Sequence, residues 1–148
     1  MRVAIEKAKE GIALGQTPFG ACIARAGELL SSAHNVVWQT TDITAHAEIH
    51  AIREACRKLF TIDLSGCVIY STCEPCPMCL GATLIAGVKR LVMGARLCDL
   101  STNSVFSFGS YSVENFAAMT GWNLEIRGGV LGEECVTLYR NASVPLSR

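Results

Sequence analysis

The stretch CVIYSTCEPCPMCLGATLIAGVKRLVMGA, residues 67–95, decides the fold. Its first six residues, 67–72, form the short apolar run of a buried strand, and its last six, 90–95, predict another strand. Between them, Pro77 and Gly87 stand where the first turn and the end of a helix are expected. A strand, a helix and a strand with short connections predict a parallel pair of strands with the helix packed on the sheet. We therefore expect an α/β fold.

The segments before this stretch extend the α/β pattern. Apolar residues recur at helical spacing in residues 2–14, and residues 19–37 give two β-like runs about a turn at Gly27, which predicts a hairpin. Residues 46–59 are rich in helix formers and predict a second helix. Its apolar face is predicted to consist of Ile49, Ile52, Cys56 and Leu59.

The periodic pattern weakens from residue 99 onward. Residues 113–120 predict one further helix, and the segment after them mixes short strand-like and turn signals. No linker or repeat interrupts the chain, so we expect a single domain over residues 1–148. Three aromatic residues in the weak region could form either a lid or ordinary core contacts: Phe106, Phe108 and Tyr111.

Composition and charge limit the classes of function. Lysine plus arginine equals aspartate plus glutamate at 13 each, which gives no bulk electrostatic attraction for nucleic acid. Half of the residues are hydrophobic and 18% are charged, which favours a buried subunit interface. No apolar run approaches the roughly 18 residues of a membrane span, and charges are spaced through the N-terminal stretch. We expect a cytoplasmic protein without a membrane partner, whose eight cysteines are reduced.

Residues 46–50, HAEIH, place a glutamate between two histidines. A zinc protease helix needs the order H-E-x-x-H, and here Glu48 comes one residue too late. His46 and Glu48 are two apart, which on a regular helix puts them on nearly opposite sides. Both can face one metal only if His46 lies at the helix entrance, with Asp42 or Thr44 as the expected helix cap.

Three evenly spaced cysteines, Cys73, Cys76 and Cys79, leave three interpretations. An iron–sulfur motif would need a fourth cysteine at position 83, which is Thr. A closed structural zinc would use all three with a histidine, whereas an open zinc site would use two cysteines with His46. The context favours the open site, because the thiols at 76 and 79 fall on a first helix turn, where the helix dipole favours thiolates. Cys73 is then expected to be a buried small side chain.

The combination of H-x-E with P-C-x-x-C is the signature of zinc deaminases. In that chemistry two thiolates and an imidazole hold Zn²⁺, and the metal turns a bound water into hydroxide, which attacks an amino-bearing ring carbon. Glu48 would act as the proton shuttle, and His46, Cys76 and Cys79 as the metal ligands. The position of the glutamate, which excludes the protease, is the one that this reaction requires.

With these motifs the chain resembles the cytidine deaminase-like superfamily, in its nucleobase and tRNA-adenosine deaminase branch. The resemblance implies a three-layer α/β/α fold with a central mixed five-stranded sheet, one zinc per subunit and a homodimer. It also implies that the Asn35 side chain and the Ala47 backbone contact the base. The matching segments are TPFGACI, HNVV, DITAHAEIHAIREAC, STCEPCPMCLGA and RLVMGA.

The segments TPFGACI and STCEPCPMC are most similar to those of guanine deaminases. This resemblance implies a purine base or related N-heterocycle as substrate. Those enzymes carry acidic residues after the strand that corresponds to residues 90–95. In this sequence Asp99 is the one acidic residue between that strand and Glu114. Two alternatives stay open: a tRNA-specific adenosine deaminase that converts A to I, and a non-catalytic zinc-containing binding protein. The five remaining cysteines are predicted to be core residues: Cys22, Cys56, Cys67, Cys98 and Cys135.

Overall fold

A computed structural model describes residues 1–100, 108–140 and 142 of the chain. Its centre is a sheet of five strands in the order β2-β1-β3-β4-β5. β1 is antiparallel to both of its neighbours, and β3, β4 and β5 are mutually parallel, so the sheet is mixed. The strands are β1 (Gly20–Arg25), β2 (Glu28–His34), β3 (Cys67–Cys73), β4 (Arg90–Ala95) and β5 (Glu125–Arg127).

Helices cover both faces of this sheet. One layer, α1 and α6, packs on one face, and the other layer, formed by α3, α4 and α5, packs on the opposite face. The expected three-layer α/β/α fold is therefore confirmed. No helix in the described ranges has the length and apolarity that a membrane span requires. The helices are α1 (Arg2–Ala13), α2 (Val37–Thr40), α3 (Ala47–Leu59), α4 (Pro77–Ile85), α5 (Val113–Thr120) and α6 (Gly132–Arg140), with one 3-10 turn at Leu97–Asp99.

The stretch at 67–95 folds as its sequence predicts. β3 and β4 are parallel, with Ile69 opposite Leu91, and α4 connects them across one face of the sheet. The predicted hairpin is present as well, and its turn residues Ala26 and Gly27 both have positive φ, at 50° and 84°. Two such residues in succession define the turn that matches the twist of a two-stranded ribbon.

The predicted apolar face of α3 is wrong in part. The residues that α3 buries are Ala47, Glu48, Ala51 and Ala55. Small side chains let the helix lie close to the sheet, and Ser31 of β2 donates a hydrogen bond to the Ala51 carbonyl at 2.7 Å. Ile52, Cys56 and Leu59 are half-buried at the edge of this contact, and Ile49 is not among the residues of the core.

Two of the helices are not predicted by the sequence. α2 and α6 both went unpredicted, although α6 carries Glu133 and Glu134 in its first turn and Arg140 in its last. Charges in this order favour a helix because they oppose its dipole. The predicted helix at 113–120 is confirmed as α5. Phe106, the first member of the candidate aromatic lid, lies outside the described residues.

Candidate metal centre

His46 stands at the entrance of α3, as its spacing to Glu48 requires. It is the N-cap residue, with extended backbone angles of φ −72° and ψ 156°, and the helix begins at Ala47. The expectation that Asp42 or Thr44 caps this helix is wrong. Asp42 instead accepts hydrogen bonds from the backbone N–H and the hydroxyl of Thr44, at 2.8 and 2.7 Å, which closes a local turn before the helix.

Cys76 and Cys79 lie at the entrance of the neighbouring helix, α4. Cys76 is its extended N-cap residue, Pro77 occupies the first helical position, and Cys79 is completely buried in the first turn. Proline suits this position because its fixed φ fits a helix and the N–H that it lacks would have no partner inside the helix. Two helix entrances therefore face each other across the ends of the strands.

The three donor atoms converge as a metal site requires. His46 Nδ1 is 3.7 Å from Cys76 Sγ and 3.4 Å from Cys79 Sγ, and the three atoms all lie within 4.8 Å of one another. A tetrahedral Zn²⁺ with usual bond lengths would separate a nitrogen from a sulfur ligand by about 3.5 Å. The observed spacing fits this value, and the set of two sulfurs and one imidazole is one that zinc prefers.

The pKa values of the Cys76 and Cys79 thiols are shifted in opposite directions. The pKa of Cys76 is lowered to about 4, chiefly because Cys79 donates a hydrogen bond to the thiolate, with His46 adding to the effect. The pKa of Cys79 is raised, first by the same hydrogen bond and then by burial. Burial works to lower the pKa of His46, but Cys76 and Glu48 outweigh it and raise that pKa. The cluster thus holds one thiolate ready as a metal ligand.

Glu48 is a buried carboxylate beside this cluster. Glu48 is 5% exposed, and its Oε1 accepts a hydrogen bond from the hydroxyl of Ser71 in β3 at 3.0 Å. Burial raises the pKa of Glu48, while the charge of His46 acts in the opposite direction. The glutamate is not one of the three converging donors. Its place next to them, without joining them, suits a group that exchanges protons.

Asn35 and Ala47, the expected base-contacting residues, both border the entrance of α3. Asn35 is 3% exposed, and its Oδ1 accepts a hydrogen bond from the Val37 N–H at 3.0 Å. Val36 N donates to the Ala45 carbonyl at 3.0 Å, which ties the turn carrying Asn35 to the residue before His46. An amide oxygen accepts and does not donate, so Nδ2 is the group of Asn35 that can donate to a base.

The other cysteines and His50 stay outside the cluster. Cys73 is buried in the core between the sheet and the α1/α6 layer, as expected, and burial raises its pKa. His50 is half-buried one turn along α3. The predicted core placement is confirmed for Cys22, Cys67 and Cys135, and it is wrong for Cys98, which is exposed; Cys56 is intermediate.

Three further residues hold the site together, and sequence reasoning missed two of them, Ser71 and Glu74. They are Ser71, which binds Glu48; Glu74, a 6%-exposed carboxylate; and Tyr111, which donates a hydrogen bond to the Pro75 carbonyl. A charged residue inside the apolar run STCEPCPMC was the available signal for Glu74, since such a residue is rarely buried without partners. Nothing in the sequence pattern marked Ser71, whereas Tyr111 is one of the three aromatic residues that the sequence offers as a candidate lid.

With this geometry established, comparison with known proteins identifies the family. Residues 1–95 match the family model described as cytidine and deoxycytidylate deaminase zinc-binding region. These residues contain the hairpin, both helix entrances and all three converging donors. The chain belongs to this zinc-binding deaminase family, which confirms the resemblance and supports Zn²⁺ as the metal that suits the site.

Three of the most similar relatives are named for two different deaminase activities. The tRNA-specific adenosine deaminase of Aquifex aeolicus is 44% identical over 95 residues, which is 64% of this chain and 63% of that protein. The guanine deaminase of Bacillus subtilis is 42% identical over 100 residues, 67% of this chain and 64% of that protein. A tRNA-specific adenosine deaminase of Haemophilus influenzae is 37% identical over 140 residues, 91% of this chain and 76% of that protein. The chain thus spans slightly less than two thirds of the length of the first two relatives.

Two of the similar solved structures represent the same two activities. The guanine deaminase from Nitrosomonas europaea superimposes with a TM-score of 0.82 at 29% identity, covering 94% of this chain and 80% of that one. A structure from studies of A-to-I editing by tRNA:A34 deaminases gives a TM-score of 0.79 at 31% identity, covering 93% and 96%. The fold is common to both groups, so similarity of fold does not choose the substrate.

Proposed function

We propose that this chain is a zinc-dependent hydrolytic deaminase of an amino-bearing purine base, guanine-like, or of a related N-heterocycle. In the reaction water replaces the ring amino group, so that a carbonyl and ammonia are formed. We further propose that residues 1–148 act as one domain, in a homodimer with one zinc per subunit. The observation that carries the proposal is the meeting of three metal donors and one buried carboxylate at two helix entrances.

The donor set defines the role of the metal. His46, Cys76 and Cys79 would hold Zn²⁺, and three protein ligands leave one position for water, as in catalytic rather than structural zinc sites. Bound zinc would supply Lewis acidity and lower the pKa of that water toward neutrality. The lowered pKa of Cys76 supports this assignment, because thiolate rather than thiol binds metals.

Glu48 would move the protons of the reaction. Its Oε1 accepts the hydrogen bond of the Ser71 hydroxyl, which would hold the carboxyl group in position for this exchange. From there the carboxyl group would take one proton from the attacking water and give it to the ring nitrogen, and would then carry the second proton, that of the hydroxyl added to the ring carbon, to the departing amine as the carbonyl forms. Burial supports this role, because it raises the pKa of Glu48 above that of an ordinary carboxyl group and so favours the form that carries a proton.

Asn35 and Ala47 would orient the base. The Nδ2 group of Asn35 can donate to a ring carbonyl or nitrogen, and the first backbone N–H groups of a helix have no acceptor within it, which suits Ala47 for a similar contact. Such directed hydrogen bonds select one heterocycle over another more strongly than apolar contacts do. The equal numbers of acidic and basic residues favour a small neutral substrate over an RNA.

A second candidate substrate is adenosine within a tRNA. It is favoured by the relative from Haemophilus influenzae, a tRNA-specific adenosine deaminase whose similarity extends over 91% of this chain. The same metal centre and proton shuttle would serve this substrate, and the difference would lie in the surface around the site. A non-catalytic zinc-containing binding protein is the remaining alternative, and the buried Glu48 counts against it.

Ammonia release by the zinc-loaded protein tests these proposals. The substrates are guanine, adenine, cytosine, their nucleosides, aminated triazines and pterins, and a tRNA anticodon stem-loop that contains adenosine. Glu48→Gln is the matched control, because it keeps the shape of the side chain but removes the proton-carrying group. We expect turnover of a free purine, lowered in Glu48→Gln by about 10²–10⁴-fold at unchanged zinc content.

The other outcomes separate the alternatives. Turnover of the stem-loop alone would replace the free base by tRNA adenosine. If no substrate is deaminated by the zinc-loaded wild type, the enzymatic proposal fails and the binding protein stands. If Glu48→Gln turns over the substrate at the wild-type rate, the proton-shuttle role is wrong.

A further inference from the structure

A buried carboxylate directly before the cysteine motif is not explained by the metal centre. Glu74 lies between Cys73 and Pro75, is 6% exposed, and is not one of the converging metal donors. Its two oxygens accept different backbone N–H groups: Oε1 that of Val113 at 3.0 Å, and Oε2 that of Leu97 at 3.1 Å. One side chain therefore joins the cysteine-bearing loop to two segments far from it in sequence.

The contact with Val113 is a contact with a helix start. Val113 is the first residue of α5, whose N-cap residue Ser112 accepts a hydrogen bond from the Asn115 N–H at 3.1 Å. The first N–H groups of a helix lack acceptors within it and carry the positive end of its dipole. The Glu74 carboxylate accepts a hydrogen bond from one of these N–H groups and places a negative charge at the positive end of the helix dipole. Both interactions stabilise the start of α5 at Val113.

Arg96, the residue directly after β4, completes the arrangement. Its guanidinium lies 3.5 Å from Glu74 Oε1 and binds both oxygens of Glu114, at 2.9 and 2.7 Å. A guanidinium that bridges two carboxylates offsets the cost of keeping one of them buried. The loop before Cys76, the end of β4 and the start of α5 are thus linked by one ionic network.

An aromatic group next to the metal centre depends on this linkage. The Tyr111 hydroxyl donates a hydrogen bond to the Pro75 carbonyl at 2.6 Å, one residue before Cys76. The Tyr111 ring makes edge contacts with Phe108 and Phe116, with centroids 5.8 and 6.1 Å away. Burial raises the pKa of Tyr111, and the charges of Glu74, Cys76, Cys79 and Glu48 add to the effect, which reflects how near the ring is to the site.

We propose that Glu74 is a positioning residue that docks residues 108–116 on the cysteine-bearing loop, so that Tyr111 and Phe108 form one wall of the substrate site. The role of Tyr111 and Phe108 rests on the proposed function; the role of Glu74 in docking the segment does not. An aromatic wall suits a purine, because the edge or face of a ring contacts a flat heterocycle over a large area. Tyr111 is thereby a specificity-determining residue, and Glu74 acts through it.

The first part of the test measures the docking without any substrate. Hydrogen exchange of the backbone amides of Leu97 and Val113 is compared between the zinc-loaded wild type and Glu74→Gln. We expect exchange about tenfold faster at both amides in the variant, since hydrogen bonds to a charged acceptor are the stronger ones. Amides of the β1–β2 hairpin serve as an internal reference, and Glu133→Gln, an exposed acid in the first turn of α6, is the matched control with no change.

The second part measures the wall. Tyr111→Phe removes one hydroxyl and keeps the ring, so it remains informative even if Glu74→Gln does not fold. For the purine that the wild type deaminates, we expect KM to rise about tenfold in Glu74→Gln and several-fold in Tyr111→Phe. We expect kcat to stay within about twofold and the zinc content to be unchanged in both, because a displaced wall weakens binding and leaves the proton shuttle in place.

Each other outcome overturns one part. Unchanged exchange at Leu97 and Val113, or exchange that rises equally in the hairpin, overturns the docking role of Glu74. Faster exchange with unchanged KM overturns the role of Tyr111, as does an unchanged KM in Tyr111→Phe. A wild type that neither binds nor deaminates any purine overturns the proposed function and the wall together, while the exchange data still decide on Glu74.

Discussion

Two buried serines in the same sheet allow the role of Ser71 to be separated from general packing. Ser71 donates to Glu48 Oε1 at 3.0 Å, and Ser31 donates to the Ala51 carbonyl at 2.7 Å. We expect Ser71→Ala to lower kcat by about tenfold or more, because it removes a hydrogen bond to a charged group that orients the proton shuttle. Deamination assays on the zinc-loaded variants measure the effect.

Ser31→Ala is the control for this prediction. It removes another buried hydroxyl, whose hydrogen bond goes to the helix backbone, so we expect wild-type kcat and a free energy of unfolding lower by about 1 kcal/mol. Denaturant unfolding of both variants checks the second quantity. An equal loss of kcat in the two variants would show that Ser71 acts through the stability of the sheet rather than through Glu48.

At the residue scale, the sequence predicts those parts of the site that depend on local spacing. His46 and Glu48 are two apart and Cys76 and Cys79 three apart, so the local start of each helix sets their directions. Ser71 meets Glu48 across 23 residues of sequence, and Glu74 meets Val113 across 39. Contacts of that kind arise only when the strands are assembled, and no local pattern marks them.

At the element scale, two glycines, Gly94 and Gly81, differ in the space that is left for a side chain. A Cβ at Gly94 in β4 would collide with the Cys135 side chain of α6 and with the Thr72 carbonyl oxygen, whereas a Cβ at Gly81 in α4 would meet nothing within 4 Å. We expect Gly94→Ala to lower the free energy of unfolding by about 1–3 kcal/mol, because α6 has to move away from the sheet. We expect Gly81→Ala to raise it by about 0.5–1 kcal/mol, as alanine favours a helix.

Denaturant unfolding of the two variants at equal zinc content measures both effects. Both variants replace glycine by alanine. The difference between their free energies of unfolding therefore reports on the surroundings of the two positions. A Gly94→Ala variant as stable as the wild type would mean that α6 does not lie as close to β4 as the structure shows. A Gly81→Ala variant that loses stability would mean that this face of α4 is covered in the folded protein.

The elements that sequence reasoning missed are those with weak local signals. α2 has four residues and β5 has three, too few for a periodic pattern to emerge. α6 has nine residues, follows Gly128 and Gly129 and begins at a third glycine, Gly132, and glycines favour a turn over a helix. The long elements with clear periodicity, α1, α3 and β3 among them, lie where the sequence predicts them.

At the scale of the whole molecule, the metal centre and the core are separate sources of stability. The core consists of two apolar clusters, one on each face of the sheet, and His46 and Cys76 belong to neither. We therefore expect removal of zinc by a chelator to abolish deamination while the sheet and helices persist in circular dichroism. The melting temperature should fall, because a ligand bound at 1,000 times its Kd contributes about 4 kcal/mol.

Re-addition of zinc should restore both activity and melting temperature. This behaviour contrasts with small zinc domains, whose folding free energy comes from the metal. If the chelated protein is unfolded, the site is structural in the thermodynamic sense, and activity alone could not then distinguish a catalytic metal from one that only maintains the fold.

The balance of charge across the molecule gives a way to decide between a free base and tRNA. With 13 basic and 13 acidic residues, the chain has no net attraction for a phosphate backbone. For a free purine we expect kcat/KM to change less than about twofold between 50 and 200 mM NaCl, because a neutral base displaces no counterions. A single-stranded RNA held by about four phosphate contacts would lose roughly 50-fold in affinity over the same range. A steep salt dependence of kcat/KM would therefore show that a local basic surface outweighs the zero net charge and that RNA is the substrate. A kcat/KM that does not change with salt would confine recognition to the site around Asn35, Ala47 and Tyr111.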